Sequence, residues 1–192
     1  MSVPTPWQVL HTERVADCRV FDILARHSRQ GDTGPTFTFF SIDSLPWVNI
    51  VPRTRNGELV MIRQFRHGKG GTVLELPGGL VDPGEDPDVA AARELQEETG
   101  YRGRLRRLGQ CNPNPALFTN QLYTYVAEDC EQVAEISNDE TEETIVELVP
   151  QTELPGLIQR GEVDHALVLS ALYWLHLDET LNNGQPNSPA GG

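Results

Sequence analysis

The stretch GLVDPGEDPDVAAARELQEETGY, from Gly79 to Tyr101, decides how the rest of the chain is read. Asp86 suits the N-cap of a helix, Pro87 its first position, and Gly100 the C′ position that closes it. Inside that helix Glu94, Glu97 and Glu98 stand at i, i+3 and i+4, hence on one face. Three like charges side by side destabilise an isolated helix, so the face needs a cation. A hard divalent ion with oxygen ligands meets that need. Glu85 can reach the helix and pair with Arg93, holding the loop against it, and Arg93 also sits four residues before Glu97. A charged surface helix laced by salt bridges would account for the three glutamates alone. The glycines, Arg93 and Glu85 at fixed offsets turn the reading toward a site.

Short strands are predicted upstream over Gln8–Leu10, Cys18–Leu24 and Thr36–Ile42, with a turn at Gln30–Pro35 between the last two. Trp47–Val51 reads as a buried strand. Arg55-Asn56-Gly57 is a hairpin turn into Leu59–Arg66, and Thr72–Leu76 is a further strand ended by Pro77-Gly78-Gly79. Downstream, Leu108–Cys111, Gln121–Ala127 and Thr144–Val149 read as strands, and acidic Glu135–Glu143 as a solvated loop. Two helices follow, around Glu153–Arg160 and Asp164–Leu177, the second with a wide apolar face. Asn182–Gly192 has the composition of a disordered tail. Strands, helix, strands, helix is the order of an α+β fold with a mixed sheet between helices.

Composition bounds the function. The 192 residues are 38% hydrophobic and 22% charged, ordinary for a globular protein. A formal net charge of −13 argues against nucleic acid as a partner, which needs a basic surface. It leaves room for a phosphorylated small molecule, because a metal can supply positive charge. Cys18, Cys111 and Cys130 show no CxxC spacing, so neither a zinc site nor a disulfide framework is expected, and a reducing, cytoplasmic setting fits. No basic-then-apolar leader is visible, and no apolar run reaches the ~18 residues that span a membrane.

The spacing Gly79-x5-Glu85-x7-Arg93-Glu94-Leu95-x-Glu97-Glu98-x-Gly100 resembles, without a gap, the signature of the Nudix hydrolase superfamily. Tyr101 stands where that pattern usually has an aliphatic residue. The resemblance implies an α/β/α sandwich and cleavage of a pyrophosphate linked to another group, with Mg2+ as cofactor and Mn2+ able to substitute. It marks Glu94 and Glu98 as metal ligands, Glu97 as sharing a second ion, and the Gly78 carbonyl as a further ligand. Glu75-Leu76-Pro77-Gly78-Gly79 and Arg63-Gln64-Phe65-Arg66 resemble segments of the ADP-ribose and nucleoside diphosphate sugar pyrophosphatases. Pro115 falls where that group has a Pro-x-Pro turn. Beyond it the match departs, with Asn120 in place of a glutamate for which the resemblance implies contact with sugar or diphosphate.

The expected substrate-binding set is therefore Trp47, stacking on the base, with Arg63, Arg66, Glu75, Pro115 and Asn120. A loop glutamate, Glu140 or Glu143, is expected as general base beside Glu97, Arg93 and Glu85. Residues 1–44 resemble the strand arm that builds a swapped homodimer in this group, 45–181 form the hydrolase domain, and 182–192 the tail. The expected function is hydrolysis of ADP-ribose or another nucleoside diphosphate sugar to a nucleoside monophosphate and a sugar phosphate. Dinucleoside polyphosphates, coenzyme A and a non-catalytic nucleotide sensor stay open.

Overall fold

A computed structural model describes residues 3–138 and 141–183. Residues up to Pro46, together with Cys111–Gln121, form one compact unit. Trp47–Gln110 and the described residues from Leu122 onward form a second.

The first unit is an antiparallel sheet in the order β1-β2-β3, made of β1 (Trp7–Asp17), β2 (Phe21–Gln30) and β3 (Thr36–Ser44). Glycine-bearing residues 31–34 turn β2 into β3, with Gly31 at φ 67°. The strand expected over Cys18–Leu24 starts later, because Cys18-Arg19-Val20 is the β1–β2 turn. Arg19 is left-handed at φ 66°, and the Asp17 carboxylate accepts its N–H at 3.0 Å. An aspartate can build such a turn without glycine or proline. Residues 112–120 return to β3, where Ile42 donates to the Leu117 carbonyl at 2.7 Å and Thr119 to the Ile42 carbonyl at 3.1 Å.

The second unit holds β4 (Trp47–Thr54), β5 (Glu58–Arg66), β6 (Gly71–Glu75), α1 (Pro87–Thr99), β7 (Tyr101–Cys111), β8 (Leu122–Gln132), β9 (Thr144–Pro150), α2 (Leu154–Gln159) and α3 (Ala166–Asn183). The sheet runs β6-β5-β4-β8-β7, with β9 on the other edge of β5. β4 and β8 are parallel, whereas β5 is antiparallel to β6 and β9, so the sheet is mixed. Alternate residues bury opposite faces. Val48, Ile50, Val60, Tyr125 and Ala127 pack with Ala90, Ala91 and Leu95 of α1. Val51, Leu59, Met61 and Val126 pack with Leu157 of α2 and Val168, Ala171 and Leu175 of α3. The result is the expected α+β sandwich. Leu95, 1% exposed, anchors α1 with a burial worth about 2–3 kcal/mol.

β7 begins directly after Gly100, well before the expected Leu108. Arg102, Arg104, Arg106 and Arg107 disguise its alternation, and Arg107 lies 4.2 Å from the Tyr123 ring centroid. α3 runs on to Asn183 and so takes in the start of the expected tail, while residues 184–192 lie outside the described residues. Among the described residues no helix is long and apolar enough to cross a membrane.

Candidate active site

α1 starts and stops where its residues dictate. The Asp86 carboxylate accepts the Asp88 N–H at 2.9 Å, Pro87 follows, and Gly100 closes the helix at φ 74° by donating to the Gln96 carbonyl. A Cβ on Gly100 would lie 2.2 Å from the Ala134 carbonyl oxygen, so glycine is required twice over there. These caps set the rotation of the helix and aim its acidic face at residues 77–79. That segment lies along β4, with Ile50 N–H donating to Pro77 O and Val48 N–H to Gly79 O, both at 2.9 Å. The Gly78 carbonyl, between them, takes no part in this ladder. A Cβ on Gly78 would sit 2.2 Å from Val48 O, and one on Gly79 2.5 Å from Glu94 Oε1. The two glycines let backbone and carboxylates approach this closely.

Arg93 is the hub of the loop side. It takes both oxygens of Glu85 at 2.9 Å, Glu94 Oε1 at 2.8 Å, Glu97 Oε2 at 3.1 Å and the Leu80 carbonyl at 3.0 Å. The Arg93 hydrogen bonds hold the Glu85 carboxyl below its ordinary pKa. Glu98 is different. It is 3% exposed and accepts the Gly78 N–H at 2.7 Å. Burial pushes its pKa up to about 8, the charges of Glu94 and Glu142 add to the push, and Gly78 and Arg66 only partly oppose it. Burial also raises Glu94 despite Arg93, with Glu97 and Glu142 adding their repulsion. Carboxylates kept buried and mutually repelling suit a hard divalent cation. Among the described residues no three acidic, thiol or imidazole groups converge as a ready-made cage, because Arg93 draws Glu85, Glu94 and Glu97 to itself. Glu94, Glu97, Glu98 and the Gly78 carbonyl are the groups that could hold such an ion.

The other expected site residues divide. Arg66 stands at the hairpin end of β5 and Glu75, paired in register with Ile62, at the far end of β6, and Arg66 Nε donates to Glu75 Oε1 at 2.6 Å. Trp47 opens β4, half-buried, its backbone bridged to Leu80. Arg63, also expected on substrate, pairs with Glu147. Its Nε and Nη2 donate to the two carboxylate oxygens at 2.5 and 3.2 Å, because Glu147 stands on the neighbouring diagonal of β9. Asn120, also expected on substrate, turns inward. It is 5% exposed, and its Nδ2 donates to the Leu45 carbonyl at 2.9 Å. Pro115 is exposed on the first unit, lining an open cleft of about 410 Å³ with Trp7, Phe39 and Phe40.

The acidic loop is tied to α1 at both ends. Ser137 N–H donates to the Glu97 carbonyl at 2.8 Å, and the buried Thr144 hydroxyl donates to the Glu98 carbonyl at 2.8 Å. Asn138 Nδ2 donates to the Thr144 oxygen at 2.9 Å. Glu140 lies outside the described residues, and Glu143 is exposed beside β9. Among the described loop residues, Glu142 is the one whose charge bears on both Glu94 and Glu98. The sequence reading passed over it among neighbouring acids that periodicity does not separate.

Residues 44–172 match the NUDIX domain family. The ADP-ribose pyrophosphatase of Bacillus subtilis (strain 168) is 31% identical over 138 residues, covering 70% of this chain and 74% of that protein. The ADP compounds hydrolase NudE of Escherichia coli (strain K12) is 31% identical over 127 residues, 66% of this chain and 67% of that protein. A crystal structure of an ADP compounds hydrolase shares the fold, with a TM-score of 0.81 over 97% of this chain and 100% of that one at 24% identity. The chain belongs to the NUDIX domain family and is an enzyme, a Nudix hydrolase.

A pH signature follows from Glu98. Its folded pKa, about 8, lies above the ordinary 4.5. Between those values the fold holds a proton that the unfolded chain has lost, so stability falls as pH rises through the window. Replacing Glu98 with Gln removes that dependence. The unfolding free energy of the metal-free wild type, measured against Glu98→Gln by denaturant titration, should drop progressively from pH 5 to pH 8.5, by a few kcal/mol in all. A constant difference across that range would mean that Glu98 ionises freely.

Proposed function

We propose that this enzyme hydrolyses ADP-ribose or a related nucleoside diphosphate sugar to a nucleoside monophosphate and a sugar phosphate, with Mg2+ or Mn2+. The observation that carries the reading is the buried, mutually repelling pair Glu94 and Glu98 facing the Gly78–Gly79 turn. The substrate class is that named for the Bacillus subtilis and Escherichia coli relatives. Glu94, Glu97, Glu98 and the Gly78 carbonyl would hold the metal. A divalent ion, when bound, neutralises pyrophosphate oxygens and lowers the pKa of a bound water.

The chain's own residues do the rest. Arg93 keeps Glu85, Glu94 and Glu97 in one array against the Leu80 carbonyl. Arg66, half-exposed and within electrostatic reach of Glu98, is the cation that receives phosphate oxygens. Trp47 offers a ring for the base. Glu142 accepts the proton of the attacking water, because among the described loop residues it is the carboxylate whose charge reaches the Glu94–Glu98 pair. Cys18, Cys111 and Cys130, none of them in a disulfide, support a cytoplasmic setting.

A panel of nucleoside diphosphate sugars, dinucleoside polyphosphates and coenzyme A tests the activity, with phosphatase-coupled phosphate release as the readout. ADP-ribose and its analogues should dominate at saturating magnesium. Release only from another class would replace the substrate, and binding without release would make the chain a sensor.

The first unit supports a homodimer. Its sheet exposes Trp7, Phe37, Phe39 and Phe40, with Trp7 edge-on to Phe37 and Phe39 at 5.9 and 5.0 Å. Clustered aromatics and open strand edges are rarely left in water. Sedimentation at micromolar concentration should give twice the 21.3 kDa of one chain. A monomer with full activity would remove the arm from the functional assembly.

A further inference from the structure

His165 is absent from the sequence-level reading and lies at the entry of α3, its carbonyl accepting the Leu169 N–H at 3.1 Å. The chain is pinned on either side of it. Asp164 is paired with Lys69 Nζ at 2.5 Å, and Asn49 Nδ2 from β4 donates to the Leu167 carbonyl at 3.0 Å. So held, His165 Nδ1 donates to Glu75 Oε2 at 2.7 Å. The second Glu75 oxygen receives Arg66 Nε at 2.6 Å. The Glu75 side chain is 1% exposed, whereas those of His165 and Arg66 are 38% and 42% exposed. A buried carboxylate must have its oxygens satisfied, and here two half-exposed residues supply one donor each. Burial alone would raise Glu75, but the bonds from His165 and Arg66 outweigh it and hold the group ionised.

The consequence lies in which nitrogens of Arg66 are used. Only Nε is engaged among the described residues, and the charge of the group bears on Glu98. A carboxylate with one oxygen vacant would take a guanidinium in the two-toothed manner, recruiting an Nη as well. We propose that His165 is a positioning residue for this site: by occupying Glu75 Oε2 it limits Glu75 to Arg66 Nε and leaves both Nη groups of Arg66 for the phosphate oxygens of a nucleoside diphosphate. The inference rests on the hydrolase reading above and adds a residue to it.

His165→Ala and His165→Asn decide the matter, since the asparagine amide can place a donor near the position of Nδ1. In His165→Ala the KM for ADP-ribose should rise about threefold to tenfold, the size of one lost hydrogen bond, with kcat falling less than about twofold. Affinity for inorganic pyrophosphate, measured by calorimetry, should fall by a similar factor. The Arg66 Nε–H resonance in arginine-labelled protein should shift. His165→Asn should restore all three. Unchanged KM and pyrophosphate affinity in a folded His165→Ala protein overturns the proposal. So does a loss of kcat and melting temperature that asparagine does not rescue, which marks a purely structural bond. If the wild type cleaves no nucleoside diphosphate sugar, the hydrolase reading fails separately, and pyrophosphate affinity with the Arg66 resonance still decides the role of His165.

Discussion

Glu98→Gln is expected to lose at least ~10³-fold in turnover at saturating magnesium while the metal-free protein becomes more stable above pH 7. The two effects have one cause. Glu98 is 3% exposed, is repelled by Glu94 and Glu142, and ionises only near pH 8 without a cation. At working pH the metal-free fold must therefore hold the group protonated, a cost that grows with pH and that only a metal relieves. Glutamine keeps the shape and an oxygen for the Gly78 N–H, removes that burden, and takes away the charge that would hold the ion. A residue kept for the fold alone would behave oppositely, since its loss would lower stability. The same substitution should remove most of the rise in melting temperature that magnesium gives the wild type, because stabilisation by a ligand scales with its affinity. Near-normal turnover, or an unchanged magnesium-induced rise, would strike Glu98 from the ligand set.

Most of this centre was legible because it is local. Asp86, Pro87, Gly100 and the glutamate spacing lie within one helix and its caps, where periodicity and capping rules act. The pairing of Arg93 with Glu85 and Glu97 spans few residues and was equally readable. What escaped depends on register between distant strands. Arg63 meets Glu147 only because β9 pairs with β5 at a particular offset, and nothing near Arg63 announces it. His165 reaches Glu75 across ninety positions of chain, through the docking of α3 on the sheet. Asn120 was read as a substitute for a substrate-binding glutamate, yet it faces Leu45 inside the first unit. β7 was shortened because arginines on its exposed face read as loop, although a strand with one wet face carries such residues freely.

The acidic loop poses the same problem at the scale of one residue. Glu140, Glu142 and Glu143 are indistinguishable by composition, and only their placement can assign the proton transfer. Thr144 and Ser137 tie the two ends of the loop to the carbonyls of Glu98 and Glu97 on the glutamate-bearing turn of α1. Glu142 and Glu143 are both exposed, but among the described loop residues it is the charge of Glu142 that bears on Glu94 and Glu98. A general base acts only as the proton leaves, so its removal lowers kcat and leaves KM nearly alone. Glu142→Gln should therefore lose ~10²–10⁴-fold in kcat under equal magnesium. Glu143→Gln should change little, and Glu140→Gln is to be measured beside them. A fall in Glu140→Gln or Glu143→Gln with Glu142→Gln intact would transfer the role to that residue. Three near-normal variants would leave water activation to the carboxylates of α1 alone.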